Sequence, residues 1–337
     1  MQDNKIAIIN PKILIESNAI EFYEDIGNNA DTIFNKLAQL PTILQSADIQ
    51  KFNRRARSKW YTDKVSAPLS ELDSPLSKYY ENSLLCNSSI KRNGKKLTSR
   101  YCNARHCNTC NRIRTAKAIN HYGKQFESYT DLEFTTLTIP NCSAKNLKVT
   151  IEKMIKLFSN ITRVIREKRK IDFNGIRKIE ITYNSQKDTY HPHIHFLHSG
   201  NCGNMFVEEW LKRFPEASIK AQDTKQATQG SLNELFKYTT KILIKNSIDK
   251  NTIDVFLPAI DTIIVSMQNK RSFQTFGKMK MISEDVEELQ SEEYHYLDEN
   301  YDTYYVWDKE LANWLDFYDN ETLTTFKPPP IKFNFYE

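Results

Sequence analysis

Apolar positions at Leu147, Ile151, Met154, Ile155, Phe158, Ile161 and Ile165 recur at helical spacing with Lys and Arg between them, and predict the clearest amphipathic helix of the chain. Ahead of it, residues 132–139 (LEFTTLTI) are rich in β-branched and aromatic side chains and stop at Pro140-Asn141, which predicts a strand. Behind it, residues 175–183 (GIRKIEITY) and 193–197 predict two strands joined through the polar turn 184–189. Residues 111–129, 204–214 and 231–246 read as helices, and 254–266 with 271–281 could add one or two strands. The first 85 residues read as mostly helical, broken by Pro41, Pro68 and Pro75. The order strand–helix–strand–strand–helix–helix predicts an α+β layer fold, an antiparallel sheet with helices packed on it.

Charge changes the picture more than composition does. The 337 residues carry a net charge of +5. Residues 284–321 hold 14 acidic residues against Lys309 alone, and residues 322–337 add +1, leaving +17 on residues 1–283. A basic body suggests a polyanionic partner. Residues 51–64 (KFNRRARSKWYTDK) and 91–117 concentrate the positive charge; either stretch read alone is equally a solvated face. Only 8 glycines occur and none forms GxGxxG or GxxxxGK[ST], which excludes dinucleotide-binding and P-loop chemistry. With no long apolar run and no signal-peptide pattern at the N-terminus, the chain is expected to be cytoplasmic, with no membrane partner.

Four of the six cysteines, Cys86, Cys102, Cys107 and Cys110, fall within 25 positions. In a cytosolic chain the C-x15-C-x4-C-x2-C spacing points to a structural zinc rather than to disulfides. Cys86 would return to the Cys107-x-x-Cys110 knuckle along a hairpin turned at Asn93-Gly94. His106 or His121 could replace one thiolate. A loop pinned in this way would present Arg100, Arg105, Arg112 and Arg114 as a cationic surface.

Tyr190-HPHIHFLH holds four histidines in eight positions. On a strand, His191, His193 and His195 share one face and Ile194 and Phe196 the other. Pro192 suggests that the regular strand begins after it, which favours His193 and His195 as ligands of one metal ion. On the preceding strand Glu180 projects opposite to Ile179 and Ile181; it is either a third ligand or a surface carboxylate paired with Lys178. On the 231–246 helix Glu234, Tyr238, Lys241 and Lys245 form a polar stripe. A phenol between a carboxylate and an ammonium suits nucleophilic attack on a phosphodiester, whereas a half-exposed tyrosine on an amphipathic helix is the plainer reading. Ser231-Leu-Asn-Glu234 also fits a capping box.

Taken in order, Phe134-TTLTIPN141, HPHIHFL and Glu234-LFKYTTK241 resemble the three motifs of plasmid rolling-circle replication initiators of the HUH endonuclease superfamily. The segment CNARHCNTCNRIR is similar to the zinc segment of one branch of these Rep proteins, and Asn269-KRSFQTFGKMK280 is similar to the strand that follows the tyrosine helix there. The likeness covers residues 80–283. It implies a central antiparallel sheet of about five strands carrying the histidines, preceded by a helical, zinc-stabilised N-terminal region. It also implies site- and strand-specific DNA nicking and joining: Tyr238 as the nucleophile that takes a 5′-phosphate, Glu234 as the general base of a second transfer, and Lys241 beside them. Mg²⁺ or Mn²⁺ would sit on His193, His195 and Glu180, and Zn²⁺ on Cys86, Cys102, Cys107 and Cys110. His191 and His198 flank the expected pair and leave the ligand choice open.

The implied partners are single-stranded or hairpin origin DNA and, beyond it, a host helicase and polymerase. A relaxase or single-strand transposase of the same superfamily, or a non-catalytic zinc-stabilised DNA-binding protein, are the competing readings. The domain reading is a helical region at 1–80, a zinc-binding basic segment at 81–125, a nuclease domain at 126–283 and an acidic segment at 284–337.

Overall fold

The histidine-rich strand sits at the centre of a five-stranded sheet. The computed structural model describes residues 47–236, 243–245, 249, 251–283, 285, 286, 300 and 302–336. Its chain divides into two compact units. One comprises the described residues of 115–242 and 258–283; the other comprises those of 19–114, 243–257 and 284–337.

In the first unit, strands β3 (Glu133–Thr138), β4 (Gly175–Asn184), β5 (Thr189–His198), β6 (Asp223–Gln226) and β9 (Phe273–Phe276) form one sheet in the order β6-β3-β5-β4-β9. Every pairing in it is antiparallel. The β4–β5 hairpin is the longest ladder, and its register sets Glu180 opposite His193 and Lys178 opposite His195. The expected break at Pro192 does not occur, because β5 runs through it. Tyr190 exchanges both backbone hydrogen bonds with Cys142. Pro192, two residues on, turns its missing N–H to that same side, where β3 pairs only as far as His193. The proline therefore removes no ladder bond.

Each face of this sheet is covered differently. Helices α4 (Ala144–Glu167) and α5 (Gly203–Arg213) cover one face. There Phe158, Phe173, Phe196 and Phe206 meet edge-to-face or stacked, with Phe276 beside them. The apolar stripe of α4 is buried as its spacing predicts, each large side chain contributing roughly 1.5–3 kcal/mol. On the opposite face, Ile119, Tyr122 and Phe126 of α3 (Asn108–Phe126) join Leu232, Leu235 and Phe236 of α6 (Gln229–Phe236). Together they cover Phe134, Ile176, Leu197 and Phe273 at one end of the strands.

Two expected elements differ. The helix read over 231–246 does not extend to its end: Leu243–Lys245 is a short strand, β7, paired antiparallel with β8 (Thr252–Phe256). Residues 257–266 are not strand but helix α7 (Leu257–Ser266), with Pro258 in the first turn, where a missing N–H costs nothing.

The second unit opens with α1 (Ala47–Ser70) and α2 (Ser77–Leu84). Its four-stranded antiparallel sheet runs β11-β10-β1-β2, from β1 (Ser89–Asn93), β2 (Lys96–Ser99), β10 (Asp302–Asp308) and β11 (Asn313–Asp316). β12 (Lys332–Tyr336) lies parallel to β8 in a three-stranded sheet. Part of the acidic segment is thus built into the fold, with Trp307 and Trp314 in contact inside it. The basic stretch at 51–64 is not a plain solvated face either. Lys59 is fully buried, its ammonium donating to Asp63 at 2.6 Å and to the Leu84 carbonyl at 2.7 Å.

Candidate functional site

Among the described residues two groups of metal-ligating side chains converge, one in each unit. In the first unit, ligand atoms of Glu180, His193 and His195 lie within 4.8 Å of one another on the sheet face shared with α6, and all three residues are buried. Their convergence follows from the ladder: facing positions of β4 and β5 point to the same side. The flanking histidines separate cleanly. His191 stacks on His193 at 5.2 Å, whereas His198 faces the other side, bonded to Thr135 Oγ1 at 2.9 Å.

The rings are held in one orientation. His193 Nδ1–H donates to the His191 carbonyl at 3.1 Å, which leaves Nε2 with its lone pair. His195 Nδ1 shares a hydrogen bond with Thr136 Oγ1 at 3.1 Å, and its Nε2 lies 3.6 Å from Glu180 Oε2. Burial pushes the His193 pKa down to about 4 against the pull of Glu180, so this imidazole is neutral near pH 7. Burial alone would favour protonated Glu180, but the Lys178 ammonium beside it, with His195 and His193, holds its carboxyl well below the usual carboxylate range. A neutral imidazole and a charged carboxylate are what a divalent ion needs from its ligands.

Glu180 stands between its two sequence readings. It meets the histidines, and it is paired with Lys178 at 2.9 Å, though inside the protein rather than on the surface. Lys178 also donates to the Glu234 carbonyl of α6 at 3.4 Å. Thr136 is a side chain that sequence reasoning left without a role, and Lys178 entered it only as a surface partner of Glu180. Their signal is the register: both stand opposite His195 on the neighbouring strands.

Glu234 is half-buried on α6. The capping box expected between Ser231 and Glu234 is not formed. Ser231 Oγ instead accepts from the Thr228 N–H at 3.1 Å, one step earlier in the chain. The last described turn of α6 is tied to α3, with Thr115 Oγ1 donating to the Phe236 carbonyl at 3.0 Å and Phe236 stacked on Tyr122 at 5.4 Å. Tyr238 and Lys241 lie outside the described residues.

In the second unit Cys86, Cys102, Cys107 and Cys110 converge. The Cys86–Cys110, Cys102–Cys110 and Cys86–Cys107 sulfurs are 3.6, 3.7 and 3.6 Å apart. Four thiolates around one zinc at about 2.3 Å would stand about 3.8 Å apart, so the donor set fits that ion. Cys86 reaches the knuckle through the expected β1–β2 hairpin, whose turn falls at Gly94 and Lys95, one residue later than Asn93-Gly94, because Asn93 still pairs with Lys96. Cys110 stands in the first turn of α3, whose N-terminus favours thiolate. Hydrogen bonds with Cys102 and Cys107, together with burial, push the Cys86 and Cys110 thiols up, whereas against burial the thiol hydrogen bonds pull Cys107 down.

Neither histidine offered as a substitute ligand belongs to this set. His106 Nε2 is engaged by Ser66 Oγ at 3.1 Å and Ser83 Oγ at 2.9 Å, and His121 Nε2 bonds the Lys280 carbonyl at 2.9 Å. Arg114 does not face solvent as expected; it is buried, donating to the Asn103 and Ala104 carbonyls and bracing the knuckle.

Sheet, histidine–carboxylate trio and four-cysteine cluster define an α+β protein with two candidate metal centres. Residues 94–206 match the family model described as "Replication protein", a segment holding Cys102, Cys107, Cys110, Glu180, His193 and His195. The chain is 29% identical over 155 residues to "Protein rep" of Streptococcus pneumoniae serotype 2, covering 41% of this chain and 47% of that protein. It is 27% identical over 216 residues to "Protein rep" of Lactiplantibacillus plantarum, covering 55% and 66%. With "Protein rep" of Staphylococcus aureus it shares 31% over 137 residues, covering 36% and 58%. The chain thus spans less than two thirds of each of these relatives, and no solved structure matches it. Over the matched segment it is similar to the Rep family of replication proteins. Among the described residues no helix is long and apolar enough to cross a membrane.

Proposed function

We propose that this chain is a metal-dependent tyrosine endonuclease that nicks and rejoins one strand of plasmid origin DNA and so initiates rolling-circle replication. The observation that carries the reading is the buried trio Glu180, His193 and His195, set on the sheet face onto which α6, the helix that precedes Tyr238, is packed. The likeness to proteins named "Protein rep" supports the same reading.

In the nicking step the Tyr238 hydroxyl oxygen attacks the scissile phosphorus as its proton leaves. The bond from phosphorus to the 3′-oxygen breaks, that oxygen takes up a proton, and the 5′-phosphate remains on the tyrosine. The freed 3′-hydroxyl is the primer. The Lys241 ammonium offsets phosphate charge, and Glu234 accepts the proton of the water or 3′-hydroxyl that later attacks the phosphotyrosine. Mg²⁺ or Mn²⁺ on Glu180, His193 and His195 would supply Lewis-acid polarisation of the scissile phosphate. Thr136 and the His191 carbonyl keep the two rings aimed, and Lys178 keeps Glu180 charged. Zn²⁺ on the four cysteines would be structural.

The experiment is incubation with labelled single-stranded origin oligonucleotides and Mn²⁺, followed by a denaturing gel. Wild-type protein should give a denaturation-resistant protein–DNA band, and Tyr238→Phe should bind DNA without forming it. An undiminished band from Tyr238→Phe would assign the nucleophile elsewhere.

A further inference from the structure

An open cleft of about 660 Å³ lies in the first unit, away from the ligand trio and lined by Lys117, Asn120, His121, Lys124, Lys278 and Lys280, with Gln125 and Ile282. Among the described residues no acidic side chain lines it. One wall is the face of α3 turned away from the core: Lys117, Asn120, His121 and Lys124 fall at i, i+3, i+4 and i+7, while Ile119, Tyr122 and Phe126 are buried. The other wall is the segment that leaves β9 through Gly277. That glycine has φ +69°, and an added Cβ would collide with Asn174 and the Phe173 carbonyl.

The two walls are fastened together. Gln125 accepts from the Lys280 N–H at 2.8 Å and donates to the Lys280 carbonyl at 3.1 Å. Tyr122 Oη accepts from the Ile282 N–H at 3.1 Å, His121 Nε2 bonds the Lys280 carbonyl, and Asn174 Oδ1 accepts from the Lys278 N–H at 2.7 Å. These bonds use backbone groups, so the ammonium groups of Lys124, Lys278 and Lys280, all exposed residues, project from a fixed frame. A preformed groove whose described lining carries four lysines and no carboxylate suits a chain of phosphates better than a protein surface of mixed sign.

Its position argues for the occupant. Lys117 is two residues from Thr115, whose hydroxyl holds the Phe236 carbonyl, and Phe236 precedes Tyr238 by two residues in the sequence. We infer that this cleft binds the phosphate backbone of the DNA strand flanking the cleaved position, through Lys124, Lys278 and Lys280. The inference rests on the nicking reading for the identity of the strand, while the contact itself is sequence-independent.

The test compares full-length wild type, Lys124→Ala/Lys278→Ala/Lys280→Ala, and a control of equal charge change on exposed α4 positions, Lys145→Ala/Lys148→Ala/Lys156→Ala. Binding of a labelled single-stranded oligonucleotide is measured by fluorescence anisotropy in EDTA across a salt series. The covalent adduct is measured separately with Mn²⁺. The cleft variant should bind at least about tenfold more weakly at low salt. Its slope of log affinity against log salt should be shallower by about 2, as three contacts at about 0.7 each imply. The control should stay within about threefold of wild type. Equal losses in cleft variant and control, or an unchanged slope in a cleft variant with wild-type thermal stability, would overturn the inference. A wild-type protein that binds in EDTA but gives no adduct with Mn²⁺ overturns the nicking reading instead, and the cleft comparison still decides the contact.

Discussion

The Lys178 ammonium lies 2.9 Å from the Glu180 carboxylate, and both side chains are buried. This pair keeps a negative ligand charged inside the protein before any cation arrives. It also puts a fixed positive charge beside the place a divalent ion would take, so lysine and ion compete electrostatically for one carboxylate.

Lys178→Met should therefore lower the stability of metal-free protein by roughly 3–5 kcal/mol, the cost of leaving a buried charge unpaired. Mn²⁺ should then raise the melting temperature of Lys178→Met by more than it raises that of wild type. Thermal melts in EDTA and in Mn²⁺ read both effects. Equal Mn²⁺ shifts in the two proteins would separate Lys178 from the ion site.

Protein purified without chelator should carry one tightly held zinc. Under native conditions only Cys142 should react rapidly with a thiol reagent, since Cys202 is buried and the other four are engaged. Cys110→Ser should lose the zinc. Elemental analysis with thiol titration measures this; a zinc-free protein with four more titrating thiols would rule the site out.

Ser231 and Glu234 should part company. Ser231→Ala removes the acceptor of the Thr228 N–H and should cost about 1 kcal/mol. Glu234→Ala should change stability by less than about 0.5 kcal/mol, allow the first nick and let the phosphotyrosine adduct accumulate. Urea melts and adduct time courses distinguish the two. A matching loss of stability and nicking in Glu234→Ala would return this residue to a structural role.

His198 supplies a pH dependence. Burial pushes its pKa down to about 4, with the Ser199 carbonyl and Asp131 pulling the other way and Glu133 4.0 Å from Nδ1. In the unfolded chain the value is about 6.5, so between pH 6.5 and 4 the unfolded state binds the proton that the folded state refuses. Stability attributable to this group is unaffected above about pH 7 and falls as the pH drops, by about 2 kcal/mol at pH 5. Urea midpoints at pH 7.5 and 5 should fall further for wild type than for His198→Gln. Parallel falls would place the acid lability in other groups.

Much of the sheet was legible because its strands obey period two. The alternation in HPHIHFLH separated His193 and His195 from Ile194 and Phe196 correctly, and Gly94 marked the hairpin that returns Cys86, with the turn at Gly94-Lys95. What failed was ambiguous in kind. The apolar runs at 243–245 and 254–266 suit strand or helix equally, and pairing with β8 rather than local preference makes Leu243–Lys245 a strand. Pro192 misled because its effect depends on which side of the strand has a neighbour. The strand Asp302–Asp308 was hidden by its charge: acids at both ends drew attention from Thr303, Tyr305 and Trp307, which alternate into the core. Lys178 was legible as a partner of Glu180 two residues away on one strand, but its place opposite His195 needed the register of β4 against β5, which no single segment carries.

The most direct measurement is the identity of the amino acid joined to DNA. Wild-type protein incubated with origin oligonucleotide and Mn²⁺ is denatured, digested with nuclease and trypsin, and examined by mass spectrometry for nucleotide-linked peptides. Cleavage after Lys237 and Lys241 releases residues 238–241 as a tetrapeptide. The expected result is a nucleotide phosphate on Tyr238 in that peptide, absent from Glu180→Ala/His193→Ala/His195→Ala. A linkage mapped to another residue, or an equal yield from the triple variant, would contradict the proposed site.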